Sequence, residues 1–278
     1  MKIDKKIGFM QGRLSPMVGK RIQAFPSKNW VQEFKAAKLI GLKLMEWTID
    51  QKKLYENPLL SENGRNKIKF LCKKFNIKID SLTGDCFMQA PFWKFKKKKR
   101  RKLQKDFLNI IDASSKMKIK KIIVPLVDNG SIKNLSQQKV FINFMRSIVA
   151  ILKKNKQVLL FELDMNYKKA KKFISKFNPK YFGINYDIGN SAALGFNSEK
   201  ELLNYGIWIK NVHIKDRIYM GNSVKLGHGN ANFVKVFSLF SKIRYKGNYI
   251  LQTARAKKNR NHAKELKENL KKVKRWIQ

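Results

Sequence analysis

Two kinds of hydrophobic patterning alternate along the chain. Short apolar runs rich in Val, Ile, Leu, Phe and Tyr fall near 6–10, 42–47, 78–83, 121–126, 157–163, 181–187, 209–216 and 247–253. Their near-continuous apolarity is what strands buried on both faces require. Between them, apolar residues recur at helical spacing near 30–40, 62–75, 100–117, 136–154, 167–176, 198–206, 231–243 and 262–277. Ser136 and Ser198 stand where they could cap two of these helices, and Glu201 would complete a capping box with Ser198. Gly41 and Gly247 fall where a helix hands over to a strand.

Strands alternating with helices imply a parallel sheet. Eight such units within 278 residues favour closure into one (β/α)8 barrel over an open doubly wound sheet. No Gly-x-Gly-x-x-Gly follows the first strand and no Walker loop occurs, which counts against a nucleotide-binding open sheet. No break in composition divides the chain, so a single α/β domain over 1–278 is expected.

Composition changes this picture little. At 43% hydrophobic residues the chain can bury a sizeable core. No apolar run reaches the roughly 18 residues of a membrane span. The start, Met1 to Met10, is too short and polar for a signal peptide and reads as the first strand. Cys72 and Cys86, without framework spacing, suit a reducing compartment, so a cytoplasmic location is expected.

Charge is the loudest feature. A net charge of +43 ordinarily points to nucleic acid or an acidic membrane. Here the excess is lysine, 51 Lys against 11 Arg, whereas nucleic-acid readers favour Arg. The lysines run along nearly every expected helix, and their abundance with Asn and Ile is what AT-rich coding produces. The run Lys94 to Lys102 reads as a solvated loop and helix start. Neither a nucleic-acid nor a membrane partner is expected, although a positive barrel mouth would attract a phosphorylated substrate.

In a chain with only 19 acids, their placement is informative. Glu46, Asp50, Asp80, Asp85, Asp128, Glu162, Asp164, Asp187 and Asp216 fall within or just after expected strands, where a (β/α)8 barrel builds its active face. Crowded carboxylates repel unless a positive group lies between them, and a divalent cation serves. Pairing with lysine is the competing account, strongest for Asp50 and Asp128. His213 lies late in the seventh strand, after Glu162 on the fifth and Asp187 on the sixth. Oxygen ligands with one imidazole suit Mn²⁺, Mg²⁺, Co²⁺ or Zn²⁺. His228, in Leu226-Gly227-His228-Gly229-Asn230, reads as a loop or substrate contact.

These residues resemble the sugar phosphate isomerase/epimerase superfamily, whose members share the xylose isomerase-like TIM barrel. The likeness covers nearly the whole chain. It is carried by Gly8-Phe9-Met10-Gln11-Gly12-Arg13-Leu14, Leu44-Met45-Glu46-Trp47, Phe161-Glu162, Tyr186-Asp187-Ile188-Gly189-Asn190, Val212-His213-Ile214-Lys215-Asp216-Arg217, Gly227-His228-Gly229 and Tyr249-Ile250-Leu251-Gln252-Thr253-Ala254-Arg255. The resemblance implies a metal held by Glu162, Asp187, His213 and position 252. Here that last position is Gln252 where the family places Glu. An amide oxygen can still ligate a hard metal but cannot act as a base.

The resemblance further implies proton abstraction alpha to a carbonyl, with an enediolate intermediate stabilised by the cation. Glu162 is the expected base. Glu46, Asp85 or Asp216 is left to supply a second proton-transfer group. Asn190, Lys215, Arg217, His228 and Arg255 are candidate substrate contacts, and Arg13 also falls near the mouth. Phe87, Phe92, Trp93 and Trp47 would either wall a sugar pocket or pack the barrel. The expected partner is a small sugar or sugar phosphate, and the resemblance implies homodimers in many members. Two other readings stay open: a sugar-binding barrel or a dehydratase without the strand-eight acid. Farther off stands an endonuclease IV-like repair enzyme, which needs more His ligands than His213, His228 and His262.

Overall fold

The computed structural model describes residues 6–19, 21–256 and 261–277. The expectation that residues 1–5 belong to the first strand lies outside the described residues. Eight parallel strands close a barrel in the order β1-β8-β7-β6-β5-β4-β3-β2. They are β1 (Ile7–Met10), β2 (Leu44–Thr48), β3 (Lys78–Thr83), β4 (Lys121–Leu126), β5 (Val158–Leu163), β6 (Phe182–Asp187), β7 (Ile209–Ile214) and β8 (Asn248–Leu251). The principal outer helices are α1 (Trp30–Leu39), α2 (Glu62–Phe75), α3 (Lys97–Lys116), α4 (Leu135–Ser147), α5 (Tyr167–Ile174), α6 (Ser198–Tyr205), α7 (Phe233–Lys242) and α8 (His262–Ile277). Among the described residues no helix is long and apolar enough to cross a membrane.

Several boundaries differ from the pattern, each for a local reason. The helix expected over 136–154 is broken at Ile148, after which Val149–Asn155 forms a separate helix of about two turns. Asn134 and Asn197 cap α4 and α6, accepting from Gln137 N and Lys200 N, so Ser136 and Ser198 are not the caps. An Asn one or two positions upstream reaches the N3 amide first. Glu201 does not complete a box; it is buried and accepts from Tyr186, Ser191 and Tyr205 hydroxyls. The seventh strand stops at Ile214, and Asp216–Arg217 turns out into a short antiparallel ribbon with Ser223–Val224. Gly41 follows α1 at φ +81, in the left-handed region that favours glycine.

Aromatic residues pack the layer between barrel and helices. Phe92 and Trp93 meet Phe141 at ring separations of 6.1 and 5.1 Å, and Phe87 meets Phe107 at 4.2 Å. Trp47 lies against Phe25 and Trp30 and donates Nε1–H to Asn57 Oδ1 at 3.0 Å. Of the two roles left open for these four aromatics, packing is the one these contacts describe. The apolar flank they fill fixes the strands whose C-terminal ends carry the polar residues described next.

Candidate metal centre

Glu162, Asp187 and His213 end or nearly end β5, β6 and β7 and are all buried. One ligand atom from each lies within 4.8 Å of the others. Adjacent strands bring them together directly: Asp187 is the register partner of His213. Immediately after β8, Gln252 Oε1 is buried without any hydrogen-bond partner. An orphaned acceptor walling the same cavity as Glu162 is a further oxygen that could join such a donor set around a cation.

His213 is the pivot. Its Nε2 lies 2.7 Å from Glu46 Oε1, and its Nδ1 lies 3.3 Å from Glu162 Oε2. Asn185 Nδ2 is 3.0 Å from the same Nδ1. If Nε2–H donates to Glu46, the Nδ1 lone pair faces Glu162 and the Asn185 amide, so that nitrogen is open to an amide hydrogen, a proton or a metal. Burial pulls the imidazole pKa down, but the charges and hydrogen bonds of Glu46 and Glu162 more than reverse this, to about 10. Without a cation the ring thus carries both protons; a metal would take the place of one.

Glu46 is fully buried inside the barrel. It accepts from Ser81 Oγ at 2.7 Å, Thr83 Oγ1 at 2.6 Å and Asn211 Nδ2 at 3.0 Å as well as facing His213. Burial opposes its charge, yet His213 and the two hydroxyls hold its pKa below the ordinary value. Glu162 is likewise held ionised against burial, first by His213 and then by Lys215 and Asn185. Its oxygens accept from Asn185 Nδ2 at 2.8 Å and Asn190 Nδ2 at 2.7 Å. Asn190 Oδ1 in turn takes Arg217 Nη1 at 2.9 Å. Asp187 Oδ1 accepts from Asn190 N, while its Oδ2 takes only the charge of Lys215 Nζ at 2.7 Å.

Above these groups opens a cavity of 210 Å³, walled in part by Asp85, Glu162, Asn190, Lys215, Arg217 and Gln252. A 480 Å³ recess beside it shares Asn190 and Arg217 and adds Lys133 and Tyr219. A larger recess of 770 Å³ lies on the flank between α4 and α5 and touches none of Glu162, Asp187, His213 or Gln252. Asp85 Oδ2 is buried without a partner. Burial, then the charges of Asp50 and Glu162, raise the Asp85 carboxyl to about 8.

Other candidates fall elsewhere. Glu46 does not line the cavity. His228 is exposed on the loop after the ribbon and Arg255 follows β8 with its Nη2 on Ser15 O, and neither lines the cavity. Asp216 is a loop clamp: its carboxylate accepts from Gly227 N, Gly229 N and Ala231 N. A side chain at Gly229 would strike that carboxylate. Asp50 accepts from Phe25 N and Gln89 Nε2. Asn185 and Asn211 were not anticipated, though each stands two residues before a ligand-type residue, on the same strand face.

Comparison with known proteins gives the same fold. A Haemophilus influenzae protein provisionally named an L-ribulose-5-phosphate 3-epimerase is 25% identical over 242 residues, 81% of this chain and 83% of its own. An uncharacterised protein of Methanocaldococcus jannaschii is 35% identical over 77 residues, 27% of this chain and only 26% of that protein's length. The crystal structure of the IolI protein with a bound zinc atom superposes with a TM-score of 0.76 at 14% identity, covering 98% of both chains. The family model for the xylose isomerase-like TIM barrel matches residues 34–276, and the chain belongs to that family.

Proposed function

We propose that the chain is a divalent-metal-dependent isomerase or epimerase of a small sugar or sugar phosphate. One observation carries the reading: Glu162, Asp187 and His213 offer ligand atoms within 4.8 Å of one another beneath a cavity at the strand ends. The name of the Haemophilus influenzae relative supports the substrate class. Glu162, Asp187, His213 and the Gln252 amide oxygen would hold the ion, with Mn²⁺, Co²⁺, Mg²⁺ or Zn²⁺ all suited to such donors. When bound, the cation supplies polarisation of the substrate carbonyl.

The chain's own groups do the rest. Glu162, ionised in the cavity wall, removes the proton alpha to the carbonyl. Asp85 is the second proton-transfer group: it lines the same cavity and carries a proton at neutral pH. Glu46 acts one step back, as a positioning residue that fixes the His213 tautomer. Arg217 holds Asn190, and Asn190 orients Glu162, so these two set the base's direction while facing the substrate. Lys215 neutralises Asp187 and presents a cation to substrate oxygens.

The test is proton exchange. Metal-loaded protein is incubated in D2O with L-ribulose 5-phosphate and a panel of free ketoses, and deuterium at the carbon alpha to the carbonyl is followed by NMR. Deuterium incorporation that Glu162→Gln abolishes is expected. Incorporation that survives Glu162→Gln would remove Glu162 as the base. Gln252 favours one second reading, a sugar-binding barrel that has lost its strand-eight acid; saturable ketose binding without exchange would select it.

A further inference from the structure

We infer that the β1–β8 side of the barrel mouth holds a subsite for an oxyanion, a phosphate monoester or a carboxylate, built on Arg13, Arg255 and Gln23. Arg13 is 5% exposed, and its hydrogen bond is a long one, from Nη1 to Ile22 O at 3.5 Å. Arg255 donates Nη2–H to Ser15 O at 2.9 Å. The Nε of both guanidiniums is buried without a partner. Neither arginine forms an ion pair among the described residues.

The local acids do not supply the missing charge. Glu33 is the carboxylate whose field reaches both arginines, but its oxygens are taken by Gly12 N, Leu14 N and Ser15 Oγ. Burial also raises Glu33 to about 7, so it is only partly charged at neutral pH. Asp85 and Asp187 also reach Arg13 with their charges, but Asp85 holds its proton there and Asp187 is already paired with Lys215. Burial, and then the neighbouring Arg255, lower Arg13 to about 9, the mark of two crowded cations. Desolvated charges without a counter-charge are expensive, and an anion between them removes the cost. A guanidinium offers its N–H groups in a fork that matches a planar or tetrahedral oxyanion.

Gln23 ties this cluster to the cavity. Both its Nε2 and Oε1 are buried without partners. With Ile22, the residue Arg13 touches, it walls the cavity that also holds Asp85, Glu162 and Gln252. An anionic group at β1–β8 would leave the rest of a small ligand reaching toward β5–β7. The inference rests on the sugar reading for the nature of that ligand, which becomes an anionic sugar, but not for the binding itself.

Inorganic phosphate and, separately, acetate are titrated calorimetrically into the full-length, metal-free protein at constant physiological ionic strength. One saturable site is expected, weakened about tenfold or more by Arg255→Gln and by Arg13→Lys, which keeps the charge but loses the fork. Lys98→Gln, on the exposed start of α3, leaves that site unchanged and sets the background of so basic a chain. Tighter phosphate assigns a phosphate ester, tighter acetate a carboxylate. No saturable binding of either anion, or binding that Arg255→Gln leaves intact, overturns the subsite. Should Arg13→Lys not fold, the partly exposed Arg255 decides alone. Because neither metal nor turnover enters, a chain without isomerase activity can still pass this test, and an active one can still fail it.

Discussion

His213 Nε2 faces Glu46 Oε1 at 2.7 Å in a part of the barrel where both side chains are wholly buried. The pair fixes which imidazole nitrogen remains for a cation, and it ties β2 to β7 across the barrel. Outer partners of metal-ligating histidines commonly govern affinity by about 10–100-fold. Glu46→Gln is expected to weaken Mn²⁺ or Zn²⁺ binding by that order while the barrel stays folded, as read by competition against a chromogenic chelator. Unchanged affinity would detach Glu46 from the centre.

Elemental analysis gives the direct check on the donor set. Wild-type protein reconstituted with divalent metal and desalted is expected to keep about one equivalent, as a single closed set of donors would hold. Asp187→Ala is expected to keep none. Equal metal in both would mean that the ion sits elsewhere.

Asp85 should make stability depend on pH in a particular direction. Burial, Asp50 and Glu162 raise its folded pKa to about 8, against roughly 4 for an unfolded aspartate. A raised folded pKa means the contribution is fully present below about pH 4 and is lost as pH rises through about 8. Asp85→Asn removes the titration. The variant is expected to match or trail wild type near pH 4 and to exceed it above pH 8 by on the order of 2–4 kcal/mol. Urea denaturation of the metal-free proteins across this range tests it; parallel pH curves would sink the claim. The same substitution should suppress isomerisation.

Asp80 behaves in the opposite sense. Burial alone would raise it, but Lys121 and Lys78, 3.2 and 2.8 Å away, bring its carboxyl down to about 2. Its stabilisation is present above about pH 4 and disappears as pH falls through about 2. Asp80→Asn is expected to cost about 1–2 kcal/mol at pH 7 and nothing near pH 2, since one charge partner is partly solvent-screened. Acid-denaturation midpoints of the two proteins would show it.

Gln252→Glu is the informative gain. The amide oxygen now has no protein partner. A carboxylate there adds a full charge to the donor set and should tighten divalent-ion binding at pH 7, by isothermal titration. Weaker binding would mean that Gln252 does not face the ion.

Much of this was legible before any coordinates. β3 and β4 fall where their apolar runs begin and end, because Lys78 and Lys121 at the strand starts mark the change from loop to core. Glu162, Asp187 and His213 could be placed at strand ends because acids are so scarce in this chain that each location stands out. What stayed hidden depended on three-dimensional partners. Glu46, Asp85 and Asp216 all stood as candidates until the barrel put Glu46 against His213, tied Asp216 to loop amides and left Asp85 beside the cavity. Whether Phe92 and Trp93 wall a pocket or pack the barrel stays open in the sequence because their partner Phe141 is distant along the chain. Ser136 and Ser198 lost the capping role to neighbouring asparagines, a difference of position that residue type alone does not settle.

The Lys215 ammonium, 2.7 Å from Asp187 Oδ2, has a consequence for how the protein is made. A nest of acids normally has to wait for its ion before the chain around it can close. Here a tethered cation already stands among the ligands, and His213 can carry a second positive charge. The barrel can therefore close without an ion, and a metal of the proposed kind would be loaded later from whatever its surroundings offer. For the metal-dependent enzyme proposed above, assembly and metallation would then be separate events, and the choice of metal would pass from the folding pathway to the supply.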